Sequence, residues 1–189
     1  MITDWRARWG DAERPFYFVQ ARNYRDPLSP GDNRAKLREA QASALALPGT
    51  GMAVAIDIGA SDDPHPRNKA EEGGRLARLA RAKVYGESVT FSGPVFRDLQ
   101  CEGATLRVRF EAFGHRLMAR AEPLAGFEIA GADGKFVTAD ARIEGDRVVL
   151  SHPLVSAPVA VRYAWGDDPA CGLQSDALLP AAPFRAALK

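Results

Sequence analysis

The first half of the chain alternates short apolar runs with segments of helical period. The predicted elements, in order, are a helix at residues 2–9, a strand at 16–21, a helix at 34–47, a strand at 52–57 and a helix at 66–85. Both strands are apolar on both faces, as in sheets that helices cover on both sides. Because the helix between them is long enough for a crossover, the two strands are predicted to be parallel neighbours.

The hydrophobic period changes to two in the second half. About six short strands follow residue 89, with hairpin signals at Asp133-Gly134 and at Glu144-Gly145-Asp146. Their regular spacing predicts a small antiparallel sandwich. The tail, residues 166–189, is rich in Pro, Asp and Ala and is predicted to pack as an extended strap. The predicted fold class is therefore α/β for residues 1–88, followed by an antiparallel β-sandwich-like domain at residues 89–189.

Composition narrows the range of functions. The chain has 189 residues, of which 46% are hydrophobic and 26% charged, and its net charge is +1. This charge argues against a nucleic-acid-binding surface. No apolar run approaches the roughly 18 residues of a membrane span. The first residues show no signal-peptide pattern, and the two cysteines, Cys101 and Cys171, could pair or stay free.

A polar loop after the second strand carries the main candidate chemistry. Asp62 and His65 lie three residues apart, and Pro66 stands where the next helix is predicted to begin. A turn across this spacing would place the Asp62 carboxylate on the Nδ1–H of His65 and leave Nε2 free to accept a proton from a hydroxyl nucleophile. We therefore predict that Asp62 or Asp63 lies within hydrogen-bond reach of His65, and the spacing favours Asp62. In open α/β sheets, active sites collect at this end of the strands. The alternative is a solvated Asp-Pro turn that caps a helix.

The residues around this loop carry a resemblance to a known family. Residues 51–59 followed by Asp62-Asp-Pro-His-Pro-Arg-Asn-Lys69 resemble the last catalytic block of the sialate O-acetylesterases, which are SGNH-type serine esterases. Further similar segments occur in the same order, at residues 4–10, 15–20, 37–41, 126–135, 159–165 and 179–185. The resemblance implies that the first half is part of an SGNH-type parallel sheet, that His65 is the general base and that Asp62 orients it.

The resemblance also implies a missing part. The family's nucleophilic serine lies upstream in a Gly-Gln-Ser-Asn-like block, and a Gln-Gly-Glu-Ser-Asn-like block helps to form the oxyanion hole. Neither block occurs in this sequence. The chain is therefore expected to be the C-terminal part of such an esterase, with the N-terminal part of the catalytic domain as its partner. The family implies no cofactor or metal, and suggests a periplasmic or secreted location.

Other residues are weaker candidates. Gly86-Glu87-Ser88 is superficially similar to the second upstream block, but it follows a helix and lacks the Asn, so we do not expect it to be catalytic. Ser61 is interpreted as a turn residue that bonds its own backbone. His115 and His152 lack metal-ligand spacing and are expected to be structural or at the surface.

Two charged pairs complete the candidates. Asp167-Asp168-Pro169 could bind a cation or end a strand, and we favour a turn. Arg38-Glu39 could be a structural ion pair.

Two functions follow from the sequence. The first is hydrolysis of O-acetyl esters of sialic acids or related sugars by Ser-His-Asp chemistry, with an O-acetylated carbohydrate as substrate and the serine outside this chain. The second is a non-catalytic carbohydrate-binding or interaction module derived from such an esterase. An in-frame serine block in the DNA upstream would favour the first.

Overall fold

The structure, a computed structural model, describes residues 1–25, 27–28 and 31–188. The first half contains α1 (Ile2–Trp9), β1 (Phe16–Val19), α2 (Asn33–Ser43), a 3-10 turn (Ala44–Ala46), β2 (Thr50–Ala53) and α3 (Lys69–Lys83). The second half contains β3 (Val95–Glu102), β4 (Thr105–Glu111), β5 (Leu117–Ala119), β6 (Phe127–Ala130), β7 (Val137–Thr138), β8 (Asp140–Glu144), β9 (Arg147–Ser151), β10 (Ala160–Tyr163), β11 (Leu173–Ser175) and β12 (Phe184–Ala187).

β1 and β2 form a two-stranded parallel sheet, which confirms the predicted pairing. The register runs from Phe16 opposite Thr50 to Val19 opposite Ala53, and α3 packs on both strands. The approach is close at Gly51, where a Cβ atom would lie 2.8 Å from the Tyr17 ring and 3.2 Å from Leu79. A larger residue at this position would force the helix away from the sheet, so packing explains this glycine.

β2 is shorter than the predicted strand at residues 52–57. The backbone N–H of Gln20 donates to the carbonyl of Ala53, and β1 supplies no further partner. Without a neighbour, the chain leaves the sheet after Ala53. Ile56 is buried and belongs to the hydrophobic core of the second half. The apolar run of residues 52–57 therefore contributes both to the parallel strand pair and to the hydrophobic core of the second half.

The second half is an antiparallel structure, as predicted, with more strands than the pattern indicated. One four-stranded sheet has the order β3-β4-β9-β8, a second has the order β12-β10-β6-β7, and β5 pairs with β11. The predicted hairpins are present, with Gly134 between β6 and β7 and Gly145 between β8 and β9, both at positive φ. Apolar side chains of the strands form one contiguous core.

The C-terminal tail is not the plain strap that was predicted. It contains β11 and β12, and β12 pairs antiparallel with β10. The ring of Phe184 on β12 stacks on Phe96 with centroids 4.6 Å apart. Strand partners far away in sequence therefore order this segment. Lys189, the last residue of the predicted strap, lies outside the described residues.

α3 begins three residues later than predicted. Its N-cap is Asn68, whose side-chain oxygen accepts from the backbone N–H of Glu71 at 3.3 Å. Pro66, expected at the first helical position, is instead buried in the preceding loop. Asn is a strong N-cap residue, and the acidic side chains Glu71 and Glu72 in the first turn complement the helix dipole.

Many contacts cross the predicted boundary at residues 88/89. The guanidinium of Arg120 lies 2.9 Å from the Asp57 carboxylate, and Arg185 forms a two-pronged pair with Glu39 at 2.6 and 2.8 Å. These contacts join the first and second halves of the chain tightly. The boundary itself stays a prediction.

We predict that Gly73→Ala and Gly74→Ala each stabilise the protein. Both glycines are exposed inside α3, and a Cβ atom on either would meet nothing within 4 Å. Close packing against the sheet therefore does not explain them. Each substitution is expected to raise the free energy of unfolding by about 1 kcal/mol, because alanine loses less backbone entropy in a helix. Urea denaturation measures the change.

Gly51→Ala is the matched control, with the opposite expected sign because of its close neighbours. A loss of stability in Gly73→Ala would contradict the assignment of this helix face to solvent.

Candidate active site

The loop that follows β2 carries the predicted catalytic residues. It lies at the carboxyl end of the parallel pair, as expected, and it presents Asp62 and His65 to solvent. Neighbouring Asp63 is half-buried. The location fits the rule for open α/β sheets, so the placement of the loop agrees with the sequence analysis.

The predicted side-chain hydrogen bond between Asp62 and His65 is absent. The backbone N–H of His65 donates to Oδ1 of Asp63 at 2.7 Å, which closes a two-residue Asx turn. Within the described residues, no hydrogen bond or ion pair reaches the His65 ring or the Asp62 carboxylate. The local turn holds the backbone and leaves both side chains free. Catalytic hydrogen bonds often tighten only in the complete site, so the two catalytic roles stay predictions.

A carboxylate from the second half of the chain holds the neighbouring loop, which follows β1. Oδ1 of Asp168 accepts from the Asn23 amide at 2.8 Å, and Oδ2 lies 3.6 Å from the Arg25 guanidinium. The backbone N–H of Arg25 in turn donates to the carbonyl of Ser61 at 2.9 Å, which links the loop after β2 to this arrangement. The interpretation of Ser61 as a turn residue that bonds its own backbone stays a prediction.

A close approach joins the same two loops at Gly59. A Cβ atom on Gly59 would lie 2.2 Å from Oδ1 of Asn23 and 2.4 Å from its carbonyl oxygen. No side chain fits at this distance. The loop after β1 and the loop after β2 are thus in direct backbone contact, and this contact requires glycine.

A buried charge cluster lies at the base of the loop. Asp57, whose side chain is 4% exposed, accepts from Arg75 at 2.6 and 2.9 Å and from Arg120 at 2.9 Å. Burial alone would raise the pKa of Asp57, but hydrogen bonds from Arg75 and Arg120 and the charge of Arg75 outweigh it and lower that pKa. Arg75 also donates to the Val54 carbonyl at 2.6 Å. This cluster ties α3 and β5 to the chain that enters the loop.

Arg38 is a second buried charge, and it is 1% exposed. Its guanidinium donates to four carbonyl oxygens, with distances of 2.7 to 2.9 Å, on Ala21, Arg22, Gly166 and Asp167. Burial lowers the pKa of Arg38 to about 10. The predicted ion pair with Glu39 is wrong, because neighbouring side chains on a helix point apart and Glu39 pairs with Arg185 instead.

Asp167 and Asp168 form a structural element that sequence reasoning only partly recognised. Oδ1 of Asp167 accepts from the backbone N–H of Arg34 at 2.8 Å and so caps α2 from across the structure. Asp32, the local N-cap residue, makes no cap hydrogen bond; it pairs with Lys36 at 2.7 Å. The turn was predicted, but the capping role was missed because no local signal indicates a cap supplied from 133 residues away.

The other two histidines take structural positions, as predicted. The ring of His115 lies between Asp176, at 2.8 Å from Nδ1, and the Thr90 hydroxyl, at 2.7 Å from Nε2. His152 accepts from the backbone N–H of Leu154 at 3.1 Å. The first bridge joins three separate segments of the chain.

The remaining candidates are also accounted for. Glu87 of the Gly86-Glu87-Ser88 segment pairs with Arg81 at 2.6 Å after the end of α3. Cys101 and Cys171 are both free, so the two do not pair. Among the described residues, no group of three or more His, Cys, Asp or Glu could hold a metal ion, and no helix is long and apolar enough to cross a membrane.

One cavity lies away from the loop. It measures about 560 Å³ and is lined by α1 and by residues such as Glu13 and Pro48, which precede the two parallel strands. It therefore lies at the opposite end of the strand pair from His65. We place the candidate chemistry on the loop, because its location and residue types, rather than cavity size, fit a catalytic edge.

Comparisons with known proteins add an independent observation. No protein-family model and no curated protein matches the chain. The crystal structure of a carbohydrate acetylesterase from Xanthomonas citri matches it with a TM-score of 0.93 and 44% sequence identity, over 98% of this chain. This chain resembles part of an esterase. It spans 44% of the length of that enzyme, and the match supports the esterase-type resemblance seen in the sequence.

We predict that Asp57→Asn lowers the free energy of unfolding and also makes that free energy less dependent on pH. The pKa of Asp57 is lower in the folded state, so its stabilising effect is present above the unfolded value of about 3.9 and is lost as the pH falls through the folded value. At pH 7 the variant should lose about 3 kcal/mol, because Arg75 and Arg120 are left without their acceptor. Urea denaturation between pH 3 and about pH 7 measures both effects.

Asp98→Asn is the control, since Asp98 also pairs with an arginine, Arg109 at 2.6 Å, but both side chains are partly exposed. An Asp57→Asn variant with the same pH slope as the parent would contradict the assignment.

We also predict that Arg38→Lys destabilises the protein by about 3 kcal/mol or more, because an ammonium cannot reach four carbonyls in the guanidinium geometry. Thermal unfolding would show the loss. Arg116→Lys serves as the control because this side chain is 87% exposed. Equal melting temperatures for the two variants would refute the role of Arg38.

Proposed function

We propose that the chain is the C-terminal part of an esterase that removes acetyl groups from sialic acids or related sugars. The observation that carries this proposal is the 44% identity with the Xanthomonas citri carbohydrate acetylesterase over nearly the whole chain. The position of the Asp62/His65 loop at the carboxyl edge of the parallel strands supports it. The SGNH-type assignment of the sheet and the preference for sialic acid rest on the sequence resemblance.

In the proposed mechanism, the serine, His65 and Asp62 each have a defined role. A serine outside this chain attacks the acetyl carbonyl, and Nε2 of His65 accepts the serine proton. The tetrahedral intermediate collapses as His65 returns that proton to the sugar oxygen, which leaves as an alcohol. Water then attacks the acyl-serine with His65 again as the base, and acetate is released. Asp62 holds the Nδ1–H of His65 and stabilises the imidazolium.

The free side chains of Asp62 and His65 are consistent with an active site whose other groups lie outside this chain. The Asx turn at Asp63 sets the backbone of His65, and the serine and the oxyanion-hole block that complete the proposed site come from outside this chain. Packing of that part over the loop would exclude water and bring Asp62 onto His65.

The sheet is also incomplete as an α/β sheet. Within the described residues, β1 and β2 pair only with each other, and sheets of two strands are marginal without further partners. The helices α1 and α2 of the same half carry exposed apolar side chains, including Trp9 at 52% and Leu37 at 49%. These features support a partner that continues the sheet, namely the N-terminal part of the catalytic domain.

We predict that the isolated chain does not hydrolyse acetyl esters at an enzymic rate, because no acyl-enzyme forms without the serine block. In characterised serine hydrolases, loss of one triad member leaves about 10³–10⁴-fold catalysis over water when the rest of the site is intact, and less is expected here. Turnover of p-nitrophenyl acetate and of O-acetylated sialic acid by the purified chain measures this. A stoichiometric burst of p-nitrophenol that His65→Ala abolishes would contradict the prediction.

A chimera tests the proposed function directly. We expect that the Xanthomonas citri enzyme, with its matched segment replaced by this chain, releases acetate from acetylated sugars. His65→Ala should lower kcat by several orders of magnitude, and Asp62→Asn should lower it by about 10³–10⁴-fold. His152→Ala, at a histidine far along the chain from the loop, is the matched control with unchanged kcat.

Activity of the chimera on acetylated sugars other than sialic acid, with none on sialic acid itself, would restrict the substrate class. A folded chimera whose activity survives His65→Ala would overturn the catalytic role and favour the non-catalytic carbohydrate-binding module.

A further inference from the structure

A side chain from the second half lies where the loops that follow the two parallel strands meet. Asp168, in the connection between β10 and β11, accepts from Asn23 at 2.8 Å, and its Oδ2 lies 3.6 Å from the guanidinium of Arg25; both residues lie in the loop after β1. A Cβ atom on Gly59, in the loop after β2, would lie 2.2 Å from Oδ1 of the same Asn23 side chain. One carboxylate therefore holds the residues against which the loop after β2 packs, at the edge where an α/β site forms.

The carboxylate of Asp168 is itself held firmly. The carbonyl of the preceding residue, Asp167, accepts from Arg38 at 2.9 Å and from the backbone N–H of Tyr24 at 3.1 Å. Oδ1 of Asp167 accepts from Arg34 at the start of α2. The side chain of Asp168 is 13% exposed. A side chain on such a fixed segment acts as a rigid point of attachment.

The electrostatic environment keeps Asp168 ionised. Burial alone would raise its pKa, but the Ser61 side chain, the hydrogen bond from Asn23 and the charges of Arg25 and Arg38 lower it. An ionised carboxylate accepts hydrogen bonds from several donors at once and holds them more strongly than a neutral group.

The attachment reaches the candidate catalytic residues through Ser61. The carbonyl of Ser61 accepts from the backbone N–H of Arg25 at 2.9 Å, so its main chain is tied to the residue that pairs with Asp168. Asp62 follows directly, and His65 lies four residues from Ser61. Among the described residues, no hydrogen bond or ion pair reaches the His65 ring, so its placement depends on this anchored segment.

We propose that Asp168 is a positioning residue, which aligns the Asp62/His65 loop by fixing the loop after β1 against which that loop packs. The proposal rests on the proposed function. It makes the second half a supporting part of the active site rather than an appended module. A misplaced general base lowers the rate of proton transfer far more than it lowers substrate binding.

The first test uses this chain alone and needs no activity. Amide hydrogen exchange by NMR should show that the Arg25 N–H, which donates to Ser61, exchanges about tenfold faster in Asp168→Ala. Val108 in β4 is the internal reference and should not change. Asp176→Asn is the matched control, because Asp176 also pairs with an arginine and a neutral donor in the second half. Unchanged exchange at Arg25 in Asp168→Ala would overturn the proposal.

The second test uses the chimera described above. Asp168→Ala should lower kcat by about 10- to 100-fold with little change in KM, and Asp168→Asn should retain part of the rate because its carbonyl oxygen still accepts. Asp176→Asn should leave both constants unchanged. Equal kcat in Asp168→Ala and the parent would overturn the positioning role while the proposed function stands. An inactive parent chimera would count against the proposed function, and the exchange experiment would still decide the anchoring role.

Discussion

The buried guanidinium of Arg38 is the interaction on which the joining of the two halves depends. It donates to the carbonyls of Ala21 and Arg22 on one side and of Gly166 and Asp167 on the other. None of these acceptors carries a formal charge, so the backbone dipoles, together with the nearby charges of Asp167 and Asp168, offset the cost of burying the cation. Because the contact is with main-chain atoms, it constrains the paths of both segments rather than the identity of their side chains.

Several other contacts follow from this one. With residues 166–167 held against α2, Asp167 reaches the first turn of that helix and Asp168 reaches the loop after β1. The same arrangement brings the sandwich close enough for Ile56 to enter its core and for Arg120 to reach Asp57. If each half packed only into its own core, Ile56 and Arg120 would not make these contacts with the other half.

The candidate site combines a firmly held backbone with free side chains. Gly59, Ser61 and the Asx turn at Asp63 determine the course of the loop, whereas Asp62 and His65 remain exposed. For the proposed catalytic role, this combination leaves only side-chain rotations to complete the alignment of Asp62 and His65, because the backbone is already ordered. The two-stranded sheet and the exposed tryptophans of α1 also support the proposed partner.

Local features could be predicted from the sequence because they depend on residues a few positions apart. Residues 2–9 form a helix and β1 pairs parallel with β2, as their patterns indicate. The hairpins at Gly134 and Gly145 follow from their turn residues. The resemblance around His65 also indicated the esterase relationship that the solved structure supports.

The tertiary structure decided what depends on residues far apart. β2 ends at Ala53 because β1 offers no further partner, and the tail forms β12 because β10 has a free edge. The contacts of Arg38 with Gly166 and Asp167, the distant cap from Asp167 and the hydrogen bond between Asn23 and Asp168 join segments more than 100 residues apart in sequence. Periodicity and turn chemistry describe only neighbours along the chain, so the sequence by itself determined the elements and the candidate loop, and the packing of the two halves determined what holds that loop in place.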